Sequence, residues 1–375
     1  MLHKIPEMKV QNSKTISAFG GINFVFNYLE EGNYRNLFDK YLPGLAPQSS
    51  YCWKDIIYSI LSIYLCGGDC IEDLQVHLKA HLQGNPFVHL PSSDTVLKRL
   101  KELSEDNNHC FTKRGSVEHT YSRNSRLEKL NVALLEKLGA FSKDEITIDY
   151  DNTILFTEKS DSKMTYKRNH GYQPGVCTLN EEQVLYIENR NGNSDAKSFQ
   201  TDTLRRIFTL LKSKGIKRAD HFRADAASYQ FDVINILAEE VKNFYIGCRN
   251  SYIEKYFPQI SKWESITDTA NEVIEVGELT ITPFQQQVRK NKVAPQEYRL
   301  IVKRKPTNDG QLNLFTQDHY EYRAILTNNT QWSAAEIAQF YNHRGNMEKQ
   351  FDILKNDFGW NNMPFSILNQ NTVFL

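Results

Sequence analysis

Apolar positions in the first third of the chain recur at helical spacing, whereas from about residue 140 they alternate with polar ones. Ser50 is placed to cap the run DIIYSILSIYL, Gly67 and Gly68 break it, and Ile71 to Leu82 sets Leu74, Leu78 and Leu82 on one side of a further helix. A loop with Pro86 and Pro91 follows, and Ser92 or Ser93 opens DTVLKRLKEL. Residues 1–135 therefore read as a mostly helical unit. Two short helices around a loop have the form of a helix-turn-helix, with Lys98, Arg99 and Lys101 able to reach DNA, and equally the form of a plain packing module. Between residues 140 and 255, ITIDYD, VCTLN, QVLYIENRNGN, HFRAD and NFYIGCRN read as strands, with helices at Thr203 to Lys212 and after Asp225. That alternation predicts an α/β fold, a mixed sheet flanked by helices. Residues 256–330 carry further β-like runs, EVIEVGELTITPF, EYRLIVKRK and YEYRAILTNN. Residues 331–375 return to helix, opened by the capping box Ser333-Ala-Ala-Glu336 and stopped at Gly359.

The chemistry concentrates in that last segment. In YNHRGNMEKQFDILKNDFGW, at about 100° per residue, Tyr341, Arg344, Glu348 and Lys355 fall near 0°, −60°, −20° and −40°. One continuous helix would carry a phenol, a guanidinium, a carboxylate and an ammonium on one narrow stripe. The apolar Phe340, Met347, Phe351, Leu354 and Phe358 lie beside it, which places Glu348 at the lip of the core. Cations flanking such an acid suit a metal-binding carboxylate with phosphate contacts on either side. A solvated helix with ordinary ion pairs, such as Arg344 with Glu348, has the same pattern.

Two strand-borne aspartates complete the candidate set. In EITIDYDNTILF, Thr147, Asp149, Asp151 and Thr153 share one strand face and Ile146, Ile148 and Tyr150 the other. Asp149 and Asp151 are rival ligands on the same side. Asp225 follows the short strand carrying Phe222 and Ala224, and a helix with Phe231, Ile234 and Leu237 inward comes after it; it sits at a strand's carboxyl end or caps that helix. Three carboxylates suit two divalent ions that activate and stabilise the oxygens of a phosphodiester reaction. Oxygen-only ligands favour Mg2+ or Mn2+.

The run Tyr341-x2-Arg344-x3-Glu348-x6-Lys355 resembles the Tyr-Arg-Glu-Lys signature of bacterial insertion-sequence transposases of the DDE type, and Asp151-Asn-Thr153 and Arg223-Ala-Asp225 resemble that family's two aspartate motifs. The resemblance covers roughly Lys143 to Pro364. It implies a ribonuclease-H-like catalytic domain with a β-rich insertion, Asp151, Asp225 and Glu348 as catalytic metal ligands, and Tyr341, Arg344 and Lys355 on DNA. It further implies transposon-end and target DNA as partners, a homodimer in the DNA complex, and a bacterial cytoplasmic, nucleoid-associated location. Trp263 and Trp332 are candidates for holding a flipped base, as some relatives do, and equally for core packing. The apolar ending NQNTVFL lacks the helical tail usual in such proteins and reads as a shortened product. A metal-dependent nuclease of the same fold, or an inactive DNA-binding remnant, would carry the same residues.

Charge qualifies this picture without overturning it. Lys plus Arg and Asp plus Glu both number 45, so a basic DNA-binding surface is absent from the sum. Charge is segregated along the chain instead: residues 197–223 hold eight basic and two acidic residues, residues 289–305 seven and one, and residues 264–278 five acids and no Lys or Arg. The basic strand around Tyr298 can track a phosphate backbone or protect a sheet edge. Six scattered cysteines fit a reduced intracellular protein. Cys66, Cys70, His77 and His81 have zinc-like spacing, yet the leucine stripe through them is that of an ordinary amphipathic helix. The sequence has no signal peptide, and the apolar run Ile56 to Cys66 is too short to span a bilayer.

Overall fold

The computed structural model describes residues 17–112, 117–268, 271–307, 316 and 318–375; the first sixteen residues of the expected helical unit lie outside them. Helices α1 (Ile22–Glu31), α2 (Arg35–Tyr41) and α3 (Trp53–Leu65), a π-helical turn at Leu74–Leu78 running into α4 (Lys79–Leu82), and α5 (Ser93–Glu102) open the fold. Phe26, Ile56, Leu74 and Val96, none of them exposed, make their common core. Leu74, Leu78 and Leu82 are buried and His77 and His81 exposed, as an amphipathic helix requires. Ser92 caps α5 by accepting from the Thr95 amide. The cap of α3 is not Ser50 but Cys52, because Asp55 reaches back to the Cys52 amide at 3.0 Å.

The expected all-helical stretch then departs from expectation. β1 (Asn108–Phe111) and β2 (Glu118–Ser122) form a hairpin ahead of α6 (Ser125–Lys137), and β2 pairs with the main sheet through Tyr121↔Arg190 and Ser122↔Asn189. Polar NHCF and EHTYS lack the apolar alternation that marks a strand, so their pairing is set by tertiary context.

The remaining strands are β3 (Thr147–Asn152), a small sheet of β4 (Leu155–Phe156), β5 (Lys163–Met164) and β6 (His170–Tyr172), then β7 (Gly175–Leu179), β8 (Gln183–Arg190), β9 (Ala219–Ala224) and β10 (Val241–Gly247). In space they run β8-β7-β3-β9-β10, with β7 antiparallel to both neighbours and β3, β9 and β10 mutually parallel. This is the mixed sheet flanked by helices that the pattern predicts. Helix α7 (Gln200–Ser213) joins β8 to β9, and α8 (Phe231–Glu240) joins β9 to β10. Leu204, Ile207, Phe208, Val233, Ile234 and Leu237 from these helices meet Ile148, Phe222 and Phe244 on one sheet face.

Beyond α9 (Asn250–Ile253), β11 (Glu264–Thr267), β12 (Val273–Ile281), α10 (Gln285–Asn291), β13 (Tyr298–Pro306) and β14 (Tyr320–Thr327) extend the same sheet, β14 docking antiparallel on β10. The acidic and basic blocks of the sequence face each other here. On paired β12 and β13, Arg304 meets Glu275 at 2.7 Å and Arg299 bonds Glu278, and Lys305 meets Glu272, just before β12, at 2.6 Å.

The face opposite α7 and α8 is covered by α11 (Ala334–Asn342) and α12 (Asn346–Asn356), which are joined by a 3-10 turn, His343–Gly345. The single last helix expected from the sequence is thus broken, and a further helix α13 (Leu368–Phe374) comes after it. Because a 3-10 turn advances about 120° per residue, three such residues rotate α12 by about 60° relative to an unbroken helix. The capping box of α11 is present, with Ser333 accepting from the Glu336 amide and Glu336 from the Ser333 amide. Gly359 is left-handed at φ +69°, where a side chain would be strained.

A buried ion pair ties these layers together. Asp149 and Arg223 are register partners on β3 and β9, 1% and 0% exposed. Arg223 Nε and Nη2 each donate to an Asp149 oxygen at 2.7 Å, Nη2 also donates to Glu181 at 2.7 Å, and Nη1 to the Phe340 carbonyl at 2.8 Å. Asp149→Asn therefore breaks this pair. It should lower stability by about 3 kcal/mol, since breaking one half of a buried pair leaves the other charge uncompensated. Denaturant melts check this: the apolar double replacement Asp149→Leu with Arg223→Met should lose less than either single change, and additive losses would show that the pair is not coupled.

Candidate active site

The strand register brings the two sequence-predicted aspartates together. Tyr150 on β3 is opposite Ala224 on β9, so Asp151, on β3, and Asp225, the residue just past β9, follow the last paired rung at the strands' carboxyl ends, on the face that carries Asp149 and Arg223. Adjacent strands lie about 4.8 Å apart, which sets the scale of the carboxylate separation. Asp151 is pushed up to about 6, by burial first and by the Asp225 charge second, with Arg344 pulling the other way. Asp225 also serves as a cap, accepting from the Ala227 amide at 2.9 Å at the start of a 3-10 turn, Ala226–Ser228.

Asp149 occupies a different environment from its neighbour two residues on. Burial raises its carboxyl, against the two Arg223 hydrogen bonds that favour the ionised form. Arg223 is itself raised, since Asp149 and Glu181 outweigh a burial that would lower it. Both Asp149 oxygens are committed to one guanidinium.

Two residues of the signature run approach these aspartates, from α11 and from the 3-10 turn that follows it. Arg344, in the 3-10 turn, donates from Nη1 to Asp151 Oδ2 at 2.9 Å. Tyr341 donates its hydroxyl to the Ala224 carbonyl at 3.2 Å, and its phenol is pushed up by burial. Room for that phenol depends on Gly247: a Cβ there would lie 2.5 Å from the Tyr341 oxygen. Glu348, on the first turn of α12, is exposed instead of lying at the core's lip, while Met347 and Phe351 on the same helix are buried; the 3-10 turn rotates all three relative to Tyr341. Lys355 is half-buried and its ammonium is lowered by burial, with Asp352 opposing and Lys167 assisting.

Among the described residues the three proposed carboxylates do not converge within the reach of one ion; the group that does is Asp69, Cys70 and Asp73, at the start of the π-helical turn. Asp73 there accepts from the Asp69 and Cys70 amides, a helix-capping arrangement, and neither His77 nor His81 joins it. The four-ligand zinc arrangement is absent among the described residues.

Several functional neighbours were hidden from sequence reasoning. Glu181 reaches Arg223 because Asn180 and Glu181 both take left-handed backbone in the β7–β8 turn. Glu181 then accepts from Asn346 at 3.1 Å, fixing the start of α12. Beside Asp225, Ala226 edges a cavity of about 840 Å³ that is also lined by Tyr229, Arg249, Tyr252, Lys255 and Lys290. Trp332 packs with His221, Tyr245 and Phe340, and Trp263 lies under the Arg304 guanidinium at 4.0 Å, so both candidate base-holders are engaged in packing. The expected basic tract at 197–223 is largely consumed: Lys214 meets Glu136 and Lys212 meets Glu240 at 2.6 Å, and Arg206 bonds Glu188.

No helix among the described residues is long and apolar enough to cross a membrane. No curated protein sequence matches the chain. Among solved structures, the chain is similar to piggyBac transposase in its synaptic complex with hairpin DNA, at 8% identity and a TM-score of 0.45, over 94% of this chain and 72% of that one. A family model described as transposase DDE domain group 1 matches residues 57–375. That span is most of the chain, and the protein therefore belongs to the DDE transposases of group 1, enzymes that cut DNA and transfer its strands.

Proposed function

We propose that the chain recognises the ends of an insertion sequence and cuts and joins DNA by metal-dependent phosphodiester hydrolysis and transesterification, with Asp151, Asp225 and Glu348 as metal ligands. The observation that carries this reading is the pair Asp151 and Asp225, each one residue past the last paired rung of the parallel strands β3 and β9, with a guanidinium of the signature run bonded to the first. The strand order β8-β7-β3-β9-β10, three antiparallel strands followed by two parallel ones, supports a ribonuclease-H-like catalytic core. Asp149 is spoken for by Arg223, which supports Asp151 as the first ligand.

The donor set suits a hard divalent cation, Mg2+ or Mn2+. Burial and the Asp225 charge make a second negative charge at Asp151 costly, and a divalent cation relieves that cost. When bound, such ions supply a nucleophilic oxygen at neutral pH and stabilise the leaving oxygen. The chain's own residues do the positioning. Arg344 offers further donors for a phosphate once Asp151 is neutralised, since a guanidinium carries five N–H groups. Lys355 and Tyr341 extend the DNA contact along α12 and α11. The cavity beside Asp225, with Arg249, Lys255 and Lys290 among its lining, provides a path for the DNA strand. In this reading two protomers pair two ends in a bacterial nucleoid.

Duplexes made from inverted repeats flanking the coding sequence test the site directly. Asp151→Asn, Asp225→Asn and Glu348→Gln should each cut metal-dependent cleavage by about 10³-fold or more while leaving the fold and DNA binding in place. Full activity of Glu348→Gln would sink the assignment of the third ligand.

The raised Asp151 carboxyl gives a separate prediction about pH. Its folded value of about 6 exceeds the ordinary 3.8, so ionising it costs stability in the metal-free protein, which should become less stable as pH rises from about 4 to about 6. Metal must displace that proton, so Mg2+ affinity should fall as pH drops below about 6. Titration calorimetry in two buffers of different ionisation heat measures the proton released. Asp151→Asn should abolish the release, and an unchanged proton count would assign it to another group.

A further inference from the structure

Most cations of β13 are spent on the acids of β12, but Lys303 is not. It sits between Arg304 and Val302, with Val276 and Arg323 as its cross-strand partners, so no register neighbour is acidic. Its ammonium donates to Asn342 Oδ1 at 2.5 Å and, among the described residues, bonds no carboxylate. It stands 5.9 Å from the centre of the Tyr341 ring, and the Arg344 guanidinium stands 5.9 Å from the same centre. Two cations from separate elements, a strand of the sheet extension and the 3-10 turn of the signature run, therefore lie near one phenol. That phenol is bonded to Ala224, the residue before Asp225.

Of the two, Arg344 already holds Asp151, whereas Lys303 has no anionic bond among the described residues, so an anion reaching both would relieve their mutual repulsion. Burial, assisted by Arg323 and Arg344 and opposed by Asp268, pushes the Lys303 ammonium down to about 8. A plain structural tie between β13 and the end of α11 needs only a hydrogen bond to Asn342, not a charge. We propose that Lys303 and Arg344 form a two-pronged clamp across Tyr341 that grips a phosphodiester of the DNA strand held at the carboxylate rung. Lys303 then brings the sheet extension into the active site as a phosphate contact outside the signature run. The inference rests on the proposed function above.

The test is fluorescence anisotropy with a labelled duplex of the flanking inverted repeat, across a salt series. Lys303→Met keeps the apolar stem, and Lys303→Gln keeps a donor for Asn342; both remove the charge. Each should weaken binding about tenfold at low salt and reduce the slope of log affinity against log salt by about 0.9. Lys303→Arg should restore the slope. Thermal melts should be alike for all three, which separates lost charge from lost structure. A wild-type slope in both neutral variants overturns the clamp, and if Asp151→Asn still abolishes cleavage the proposed function stands without it. A wild-type protein that neither binds nor cuts this duplex overturns both.

Discussion

The bond between Arg223 and Asp149 is the constraint on which the active face depends. An unpaired guanidinium with no exposed surface would cost several kcal/mol, so every group around it is arranged to satisfy it. Asp149 accepts from Nε and Nη2, Glu181 also from Nη2, and the Phe340 carbonyl from Nη1, while the guanidinium also lies 4.6 Å from the centre of the Phe340 ring. Those partners come from β3, the β7–β8 turn and the end of α11. One side chain thus sets the register of two parallel strands and the place where the covering helix ends. Asp151, Asp225 and Arg344 all lie within two residues of a group in this network or just beyond the helix end it fixes.

The same logic explains a chain with no net charge that handles DNA. Opposite charges segregated in sequence meet across strands, as Glu275 meets Arg304 and Glu272 meets Lys305, so these cations are held at home. Exposed pairs of this kind add little stability, about 0 to 1 kcal/mol each. Their larger effect is to leave Lys303, not bonded to a carboxylate among the described residues, beside Tyr341 and the aspartates it adjoins. The field that a polyanion meets is set by such local remainders and not by the sum.

Much of the fold could be read from alternation and punctuation. The two aspartates were legible because each ends an apolar strand, and Ser333 with Glu336 because a capping box is a local signal. Arg223 was counted only as part of a basic tract, since its partner Asp149 is far away in sequence and buried pairing leaves no local trace. The 3-10 turn at His343–Gly345 escaped because His-Arg-Gly contains no proline and helix periodicity runs on through it. That miss took Glu348 off the single stripe with Tyr341 and Arg344 that an unbroken helix would give. The hairpin of β1 and β2 was invisible for the opposite reason: its residues are polar and its stability comes from the sheet edge it joins. Lys303 could not be told from Arg299, Arg304 and Lys305 without the register that gives those three their acids.

The break in the signature helix has a chemical consequence. In an unbroken helix Arg344 and Glu348 would stand one turn apart on a single stripe and could neutralise each other. With the 3-10 turn between α11 and α12, Arg344 bonds Asp151 at 2.9 Å and Glu348 is left exposed on the next turn. Across this rung, one guanidinium balances a buried aspartate whose ionisation its neighbour Asp225 opposes. A guanidinium is a weakly hydrated, always-charged group with donors to spare, so it can hold Asp151 and face a phosphate without changing its own charge. A lysine at 344 would have to choose between them. The turn that breaks the helix is therefore what puts the arginine, and not the glutamate, in first contact with the carboxylate rung.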